Sequence, residues 1–308
     1  MQRVRQRIGF RERMARLSDL QFAALLALPV VVFLLVVIAY PLGYAVWISF
    51  REVTFFGEFR TVFVGLQNYV DVFHSPAFWD SVIISLRFTV ESVILTLLIG
   101  LGIALVLAKP FRGKGLVRTL VILPWAVSRY GVAILFKAFW RGRSGFLTWL
   151  SYLLGINKSV DLLGANTVIV ALAIGNAWNM APLVAFFLLA SMETIPSRLY
   201  DLAEIDRFGV FKRFFYVTLP YLRYTLFVFT AITTVLTLRT FDYIFTQTGG
   251  GPGMRSATVT YELFKETFIN FRWGYGAAMS FYLLAIIVAV TMLLFLVWGR
   301  KEVKEGAL

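Results

Sequence analysis

Long apolar runs alternate with short polar breaks along this chain. Six runs stand out, at residues 22–49, 81–108, 116–140, 166–190, 222–246 and 275–298. Each is longer than the ~20 residues a helix needs to cross a hydrocarbon core about 30 Å thick. Pro29 and Pro41 fall inside the first run and are expected to tilt or interrupt it. The breaks differ in kind. Residues 51–80 are polar and hold Gly65-Leu66-Gln67-Asn68-Tyr69, and Lys109, Pro110, Arg112, Lys114 and Arg118 make a tight basic turn. Residues 141–165 contain a small amphipathic piece, Phe146 to Leu154, and a glycine cluster opens the stretch from Gly249 to Trp273. The pattern predicts an all-α, polytopic membrane protein. Residues 1–20 form a basic N-terminal segment, 21–299 a six-helix transmembrane domain and 300–308 a short tail. No internal repeat and no soluble domain is legible.

Charge adds an orientation. With the N-terminus inside, inner segments hold roughly 18 Lys and Arg and outer ones roughly 8, as the positive-inside rule requires. Both termini are then cytoplasmic, as is the segment between the fourth and fifth runs. Arg3, Arg5, Arg7, Arg11, Arg13 and Arg16 make the first residues hard to translocate. A cleaved signal peptide is not expected, because the apolar run behind them reaches about residue 50 and no Ala-x-Ala site follows promptly. The same distribution explains the net charge of +13 without nucleic acid.

Composition then removes whole classes of chemistry. The chain is 59% hydrophobic, 15% charged and 17% aromatic, which fits membrane interfaces. It has no cysteine, so disulfides and thiolate metal sites are excluded. His74 is the one histidine, which leaves no Ser-His-Asp triad and no multi-histidine metal centre. The cluster Gly249-Gly250-Gly251-Pro252-Gly253 is not a phosphate loop: it lacks the Gly-Lys-Ser/Thr ending, and Pro252 has no amide to donate.

One segment departs from the alternation. Residues 201–220 mix dense charge of both signs with apolar residues Leu202, Ile205, Phe208, Phe211 and Phe215 at helical spacing. Asp201, Glu204 and Asp206 come early and Lys212 and Arg213 late, as a helix dipole favours. Gly209 is placed to bend the segment, and Pro220 to restart a membrane helix. Such a stretch is expected to lie at the membrane surface with a face for a partner.

This stretch resembles the EAA loop of permease subunits of bacterial ABC importers. That pattern runs Glu-Ala-Ala, three residues, Gly, nine residues, Ile, any residue, Leu-Pro. Asp201-Leu202-Ala203 stands for the first element, Arg207 for the glycine and Val217-Thr218-Leu219-Pro220 for the ending, within a loop at 195–220. Further runs resemble the carbohydrate branch of that family: Tyr40-Pro41 with Ser49-Phe50, Gly65 to Tyr69 and Leu123-Pro124-Trp125. Phe241-Asp242, Thr248-Gly249-Gly250-Gly251-Pro252 and Gly274-Tyr275-Gly276-Ala277-Ala278 continue the likeness. The resemblance is to the maltose-permease-like member of a permease pair and implies the type I importer fold in the bacterial inner membrane. It implies a second homologous permease, two ATP-binding subunits carrying ATP and Mg, and an extracytoplasmic solute-binding protein. The solute would be a sugar, oligosaccharide, polyol or glycerol phosphate. This chain itself would bind no cofactor and hydrolyse nothing.

The resemblance also assigns residues. Asp201, Leu202, Ala203, Ile205, Arg207, Phe208 and Gly209 fall where the family docks its ATPase. Asn176 falls on a sugar-contacting asparagine, and Asn179, Met180, Leu183, Thr233, Leu236, Thr237 and Thr240 fall on contacting positions of other residue types. The residues alone offer Asn176, Trp178 and Asn179 before Pro182, and Thr230, Thr233 or Thr234, and Thr237 on one face. These threonines suit hydroxyl recognition, or equally a bond to their own backbone. Charges within the runs are Arg87 with Glu91, Arg239 with Asp242, and Arg129 and Lys137, the last two able to snorkel outward. An importer for amino acids, phosphate or polyamines would share the EAA loop but lack the run from Phe241 to Gly276. An ion-driven secondary transporter would show inverted repeats, and none is seen.

Overall fold

The computed structural model describes residues 18–55, 59–156 and 158–299. The basic N-terminal arginines and the tail from Arg300 lie outside the described residues. Five helices are long and apolar enough to cross a membrane, or six when one bent pair counts as a span. In chain order these are α1 (Leu20–Ser49), α3 (Pro76–Ala108), the pair α4 (Lys114–Ala126) and α5 (Arg129–Trp140), α7 (Val168–Glu193), α9 (Val210–Leu238) and α12 (Trp273–Gly299). Short helices α2 (Gln67–Phe73), α6 (Phe146–Leu153), α8 (Ser197–Ile205), α10 (Asp242–Gln247) and α11 (Val259–Phe264) fill the connections.

α7 is the axis of the bundle. Over three quarters of its apolar window is buried, against none of α1 and little of α12. Helices α3, α4, α5 and α9 all pack on it. The reason is small side chains. Ala171, Ala173, Gly175, Ala177, Ala181 and Ala185 let neighbours approach closely, and the facing helix α3 answers in kind. Its buried face carries Ser85, Thr89, Ser92, Thr96, Gly100 and Ala104 at helical spacing. A methyl at Gly100 would sit 3.0 Å from Val184 and 3.1 Å from the Ala181 carbonyl, so that crossing admits only glycine without a shift. α3 starts with its N-terminal amide satisfied by Ser75, whose hydroxyl accepts from Phe78 N, and with Pro76 at its first position.

Several expected boundaries move. The third run is not one helix: α4 and α5 meet at 95° around Val127. Pro124 weakens the last turn of α4, and Ser128 caps α5 by accepting from Gly131 N at 3.2 Å. The fifth run ends at Leu238, eight residues early, and Asp242–Gln247 forms a separate turn of helix against α5 and α7. Pro29 and Pro41 do not interrupt α1, which continues through a π turn at Leu35–Ala39. Pro220 restarts nothing either: α9 already runs from Val210, and a π turn at Phe214–Thr218 accommodates the missing amide.

The polar segment after α1 holds an antiparallel hairpin, β1 (Arg51–Phe55) and β2 (Phe59–Phe63), in the register Arg51 to Phe63 and Val53 to Thr61. Asn68 anchors it by donating to the carbonyls of Ser49 and Arg51, both at 2.9 Å. Gly274 of α12 lies so close to the Arg51 carbonyl that a Cβ there would collide with it. The hairpin therefore closes one face of the bundle, and α8 lies at the other.

Candidate functional site

Two regions carry unusual chemistry. The first lies where α5 begins, beside the middle of α7 and the end of α9. The 95° break exposes backbone carbonyls that no helix satisfies, and hydrocarbon offers them no water. Asn179 answers both: its Nδ2 donates to Pro124 O at 2.6 Å and Val127 O at 3.2 Å. Asn179 is therefore a clip that holds the break in shape. Asn176, one turn earlier and equally buried, donates to Thr237 Oγ1 at a long 3.4 Å.

The break also aims Arg129 inward. Its guanidinium donates to Thr240 Oγ1 and approaches Met180 Sδ at 3.8 Å. Thr240 passes its own proton to Leu236 O at 2.9 Å. Thr233, also buried, bonds Phe229 O at 2.5 Å, and Thr230 bonds Leu226 O at 2.7 Å, so these threonines do satisfy their own helix. Asn176, Asn179, Met180, Thr237 and Thr240 thus gather around Arg129. Leu236 is half-buried at the rim, and Leu183 turns toward the apolar cluster of α3 and α7. Trp178 packs edge-on against Phe136, 5.5 Å between centroids, rather than joining the polar group.

Lys137 stays exposed near the end of α5, its ammonium donating to Thr246 O at 3.0 Å. Arg129, deeper in the third run than Lys137, lies at the centre of this cluster and does not snorkel outward. The signal was present: Ser128 is a helix cap set just after Leu-Pro-Trp. Arg87 and Glu91 pair as expected, at 2.8 Å on α3. Arg239 and Asp242 form no ion pair among the described residues, because the chain turns between them.

The second region is the loop at 195–220. α8 ends in a Schellman turn: Phe208 N donates to Ala203 O at 2.8 Å and Arg207 N to Glu204 O at 3.0 Å. Arg207 takes the left-handed conformation, with φ of 54°, at the position where the EAA pattern has glycine. Gly209 does not make this bend: its φ is −66° and it caps the next helix. The bend splits the apolar set expected on one face. Ala203 turns inward and packs with Ile195 and Val217, flanked by Phe208. Leu202, Ile205, Phe211 and Phe215 stay exposed, Ile205 at 76%. Asp201, Arg207 and Gly209 are exposed at the same end. Tyr200 ties α8 to the root of α9 through Thr218 Oγ1 at 3.1 Å, and Arg118 ties α4 to Glu193 at 3.1 Å.

Five apolar spans, or six with the bent pair, one of them a buried small-residue helix on which others pack, make a multi-pass membrane protein. No family model matches the chain. It is 35% identical over 87% of its length to the trehalose/maltose transport system permease protein MalF of Thermococcus litoralis, covering 90% of that protein. It is 30% identical over 89% to the sulfoquinovosyl glycerol transport system permease protein SmoG of Agrobacterium fabrum, 89% of which is covered. Its fold matches a bacterial ABC transporter that imports the acidic polysaccharide alginate. The TM-score is 0.78 at 19% identity, with 92% of this chain and 96% of that one covered. The chain belongs to the permease subunits of carbohydrate-type ABC importers.

Proposed function

We propose that this chain forms half of the path by which a carbohydrate-like solute enters the cell, the other half coming from a second, homologous permease. Two ATP-binding subunits dock on the 195–220 loop and on its counterpart in the partner, and an outer binding protein delivers the solute. The loop and both termini face the cytoplasm. Asn176, Met180, Thr233, Leu236, Thr237 and Thr240 contribute to the solute path, with Asn179 supporting it and Leu183 packing behind it. Leu202 and Ile205, beside Asp201, Arg207, Phe208 and Gly209, meet the ATPase, while Ala203 packs behind them and holds the turn. A related alginate importer has been seen with an oligosaccharide-loaded periplasmic protein, which supports the partner assignment. The relatives named for trehalose, maltose and sulfoquinovosyl glycerol support the solute class.

One observation carries the reading. α7 runs unbroken from the polar cluster at Asn176 to Glu193, directly before α8. Closing of the ATPases would move α8, and α7 would transmit that motion to the path. Only differential affinity of ATP for the two arrangements can drive such a shift. In vesicles holding the complete importer, ATP-dependent uptake of labelled trehalose, maltose and glycerol 3-phosphate tests the class. Asn176→Ala should cut uptake of the accepted solute about tenfold, as losing one buried hydrogen bond of about 1–3 kcal/mol implies. ATPase stimulation by the loaded binding protein should persist. Unchanged uptake would remove Asn176 from the path, and loss of both activities in an intact assembly would make it structural.

A further inference from the structure

The charges of the spans differ in how they are compensated. Arg87 has Glu91 at 2.8 Å, and Lys137 has the Thr246 carbonyl at 3.0 Å. Among the described residues Arg129 has a hydroxyl and a thioether. Asp242 is the carboxylate whose field reaches it, yet no ion pair forms between them among the described residues.

Depth makes this costly. Met180, the α7 neighbour of Arg129, lies about 18 Å along a helix about 39 Å long. A cation held at mid-membrane with no carboxylate in contact is expensive and marks a functional position. It is also held firmly. Asn179 uses both amide protons to fix the carbonyls of Pro124 and Val127, and Ser128 caps the helix that Arg129 opens. A guanidinium has five donors in a planar fork, and its neutral partners here occupy two nitrogens. Such a fork matches an oxyacid group bidentately.

We infer that Arg129 binds an anionic group of the transported solute, so that the accepted carbohydrate carries a phosphate, carboxylate or sulfonate. This rests on the carbohydrate-importer reading and narrows its substrate class. The solute's charge supplies the contact ion pair that no carboxylate of the described residues makes with Arg129. A neutral sugar of the same size leaves the cation uncompensated.

The test uses the complete importer in vesicles. Matched pairs are offered as labelled probes: glycerol and glycerol 3-phosphate, glucose and glucuronate, glucose and glucose 6-phosphate. The expected result is ATP-dependent uptake of an anionic member in preference to its neutral partner. Arg129→Gln should lower that uptake at least tenfold, and Arg129→Lys, which keeps the charge without the fork, should fall between. Uptake of neutral members alone leaves the carbohydrate reading intact and overturns this inference. So does normal anion uptake by Arg129→Gln. If Arg129→Gln instead releases the second permease while Arg129→Lys retains it, the cation's partner is that subunit and the inference is again overturned. If no probe is taken up by an importer whose ATPase still responds to its binding protein, the carbohydrate reading itself fails, and this inference with it.

Discussion

Arg207 occupies a conformation that glycine prefers, and replacing it should strengthen the turn. A side chain in the left-handed region costs about 1–2 kcal/mol. Glycine gives back about 0.5–1 kcal/mol through the greater freedom of its unfolded chain. Relief should win, so Arg207→Gly is expected to favour the closed turn by about 0.5–1 kcal/mol, or roughly two- to fivefold. The turn supplies its own probe, because Phe208 N donates to Ala203 O at 2.8 Å only when 207 is left-handed. Hydrogen exchange at Phe208, corrected for intrinsic rates and measured on the assembled permease, reads that closure directly. Protection should rise in Arg207→Gly. It should fall more than fivefold in Arg207→Val, since a β-branched residue there adds about 1–3 kcal/mol of strain. Unchanged or lower protection with glycine, or normal protection with valine, would refute the Schellman geometry.

Asn179→Ala should lower the thermal midpoint of the assembled complex by several degrees. It strands the carbonyls of Pro124 and Val127, and each unpaired buried group costs about 1–3 kcal/mol; an unchanged midpoint would show that Asn179 is no clip. In the loop, Ile205→Asp should prevent the ATPase from copurifying while leaving the permease as resistant to protease as before. Ala203→Asp, at a position only 4% exposed, should open the loop itself and make it protease-sensitive. Equal behaviour of the two variants would remove the distinction between docking face and hinge core.

Element type was far more legible than element direction. The six apolar runs are all helical in the structure, because hydropathy over such lengths leaves a chain no other way to satisfy its backbone in lipid. The break between α4 and α5 was hidden, since Val127 at the corner is as apolar as its neighbours; only Pro124 and Ser128 hinted at it. The hairpin's signature is β-branched and aromatic residues on either side of Gly57, among them Val53, Thr54, Phe55, Thr61 and Val62, and it is weak beside the long helical runs. The EAA spacing points to the segment at 195–220 but carries no sign of where it bends. Gly209 drew attention as the permissive residue, while the hydrogen bonds of the turn put the strain on Arg207. At the polar cluster, Asn176 and the threonines were visible as residue types. What Asn179 and Arg129 do depends on the corner between α4 and α5, and no periodicity encodes that.

During synthesis α3 reaches the membrane long before α7. About 85 residues separate the ends of the two helices, which takes roughly 4–17 s at ~5–20 residues per second. Throughout that wait the face bearing Ser85, Thr89, Ser92 and Thr96 lacks the helix it will pack against. Hydroxyls suit this interval: Thr89, for instance, donates to Ser85 O at 2.7 Å within its own helix. An unpaired charge on that face would have no such local refuge; the charges α3 does carry, Arg87 and Glu91, pair with each other at 2.8 Å within the helix. The choice of serine and threonine there answers the timetable of assembly as well as the geometry of the finished bundle.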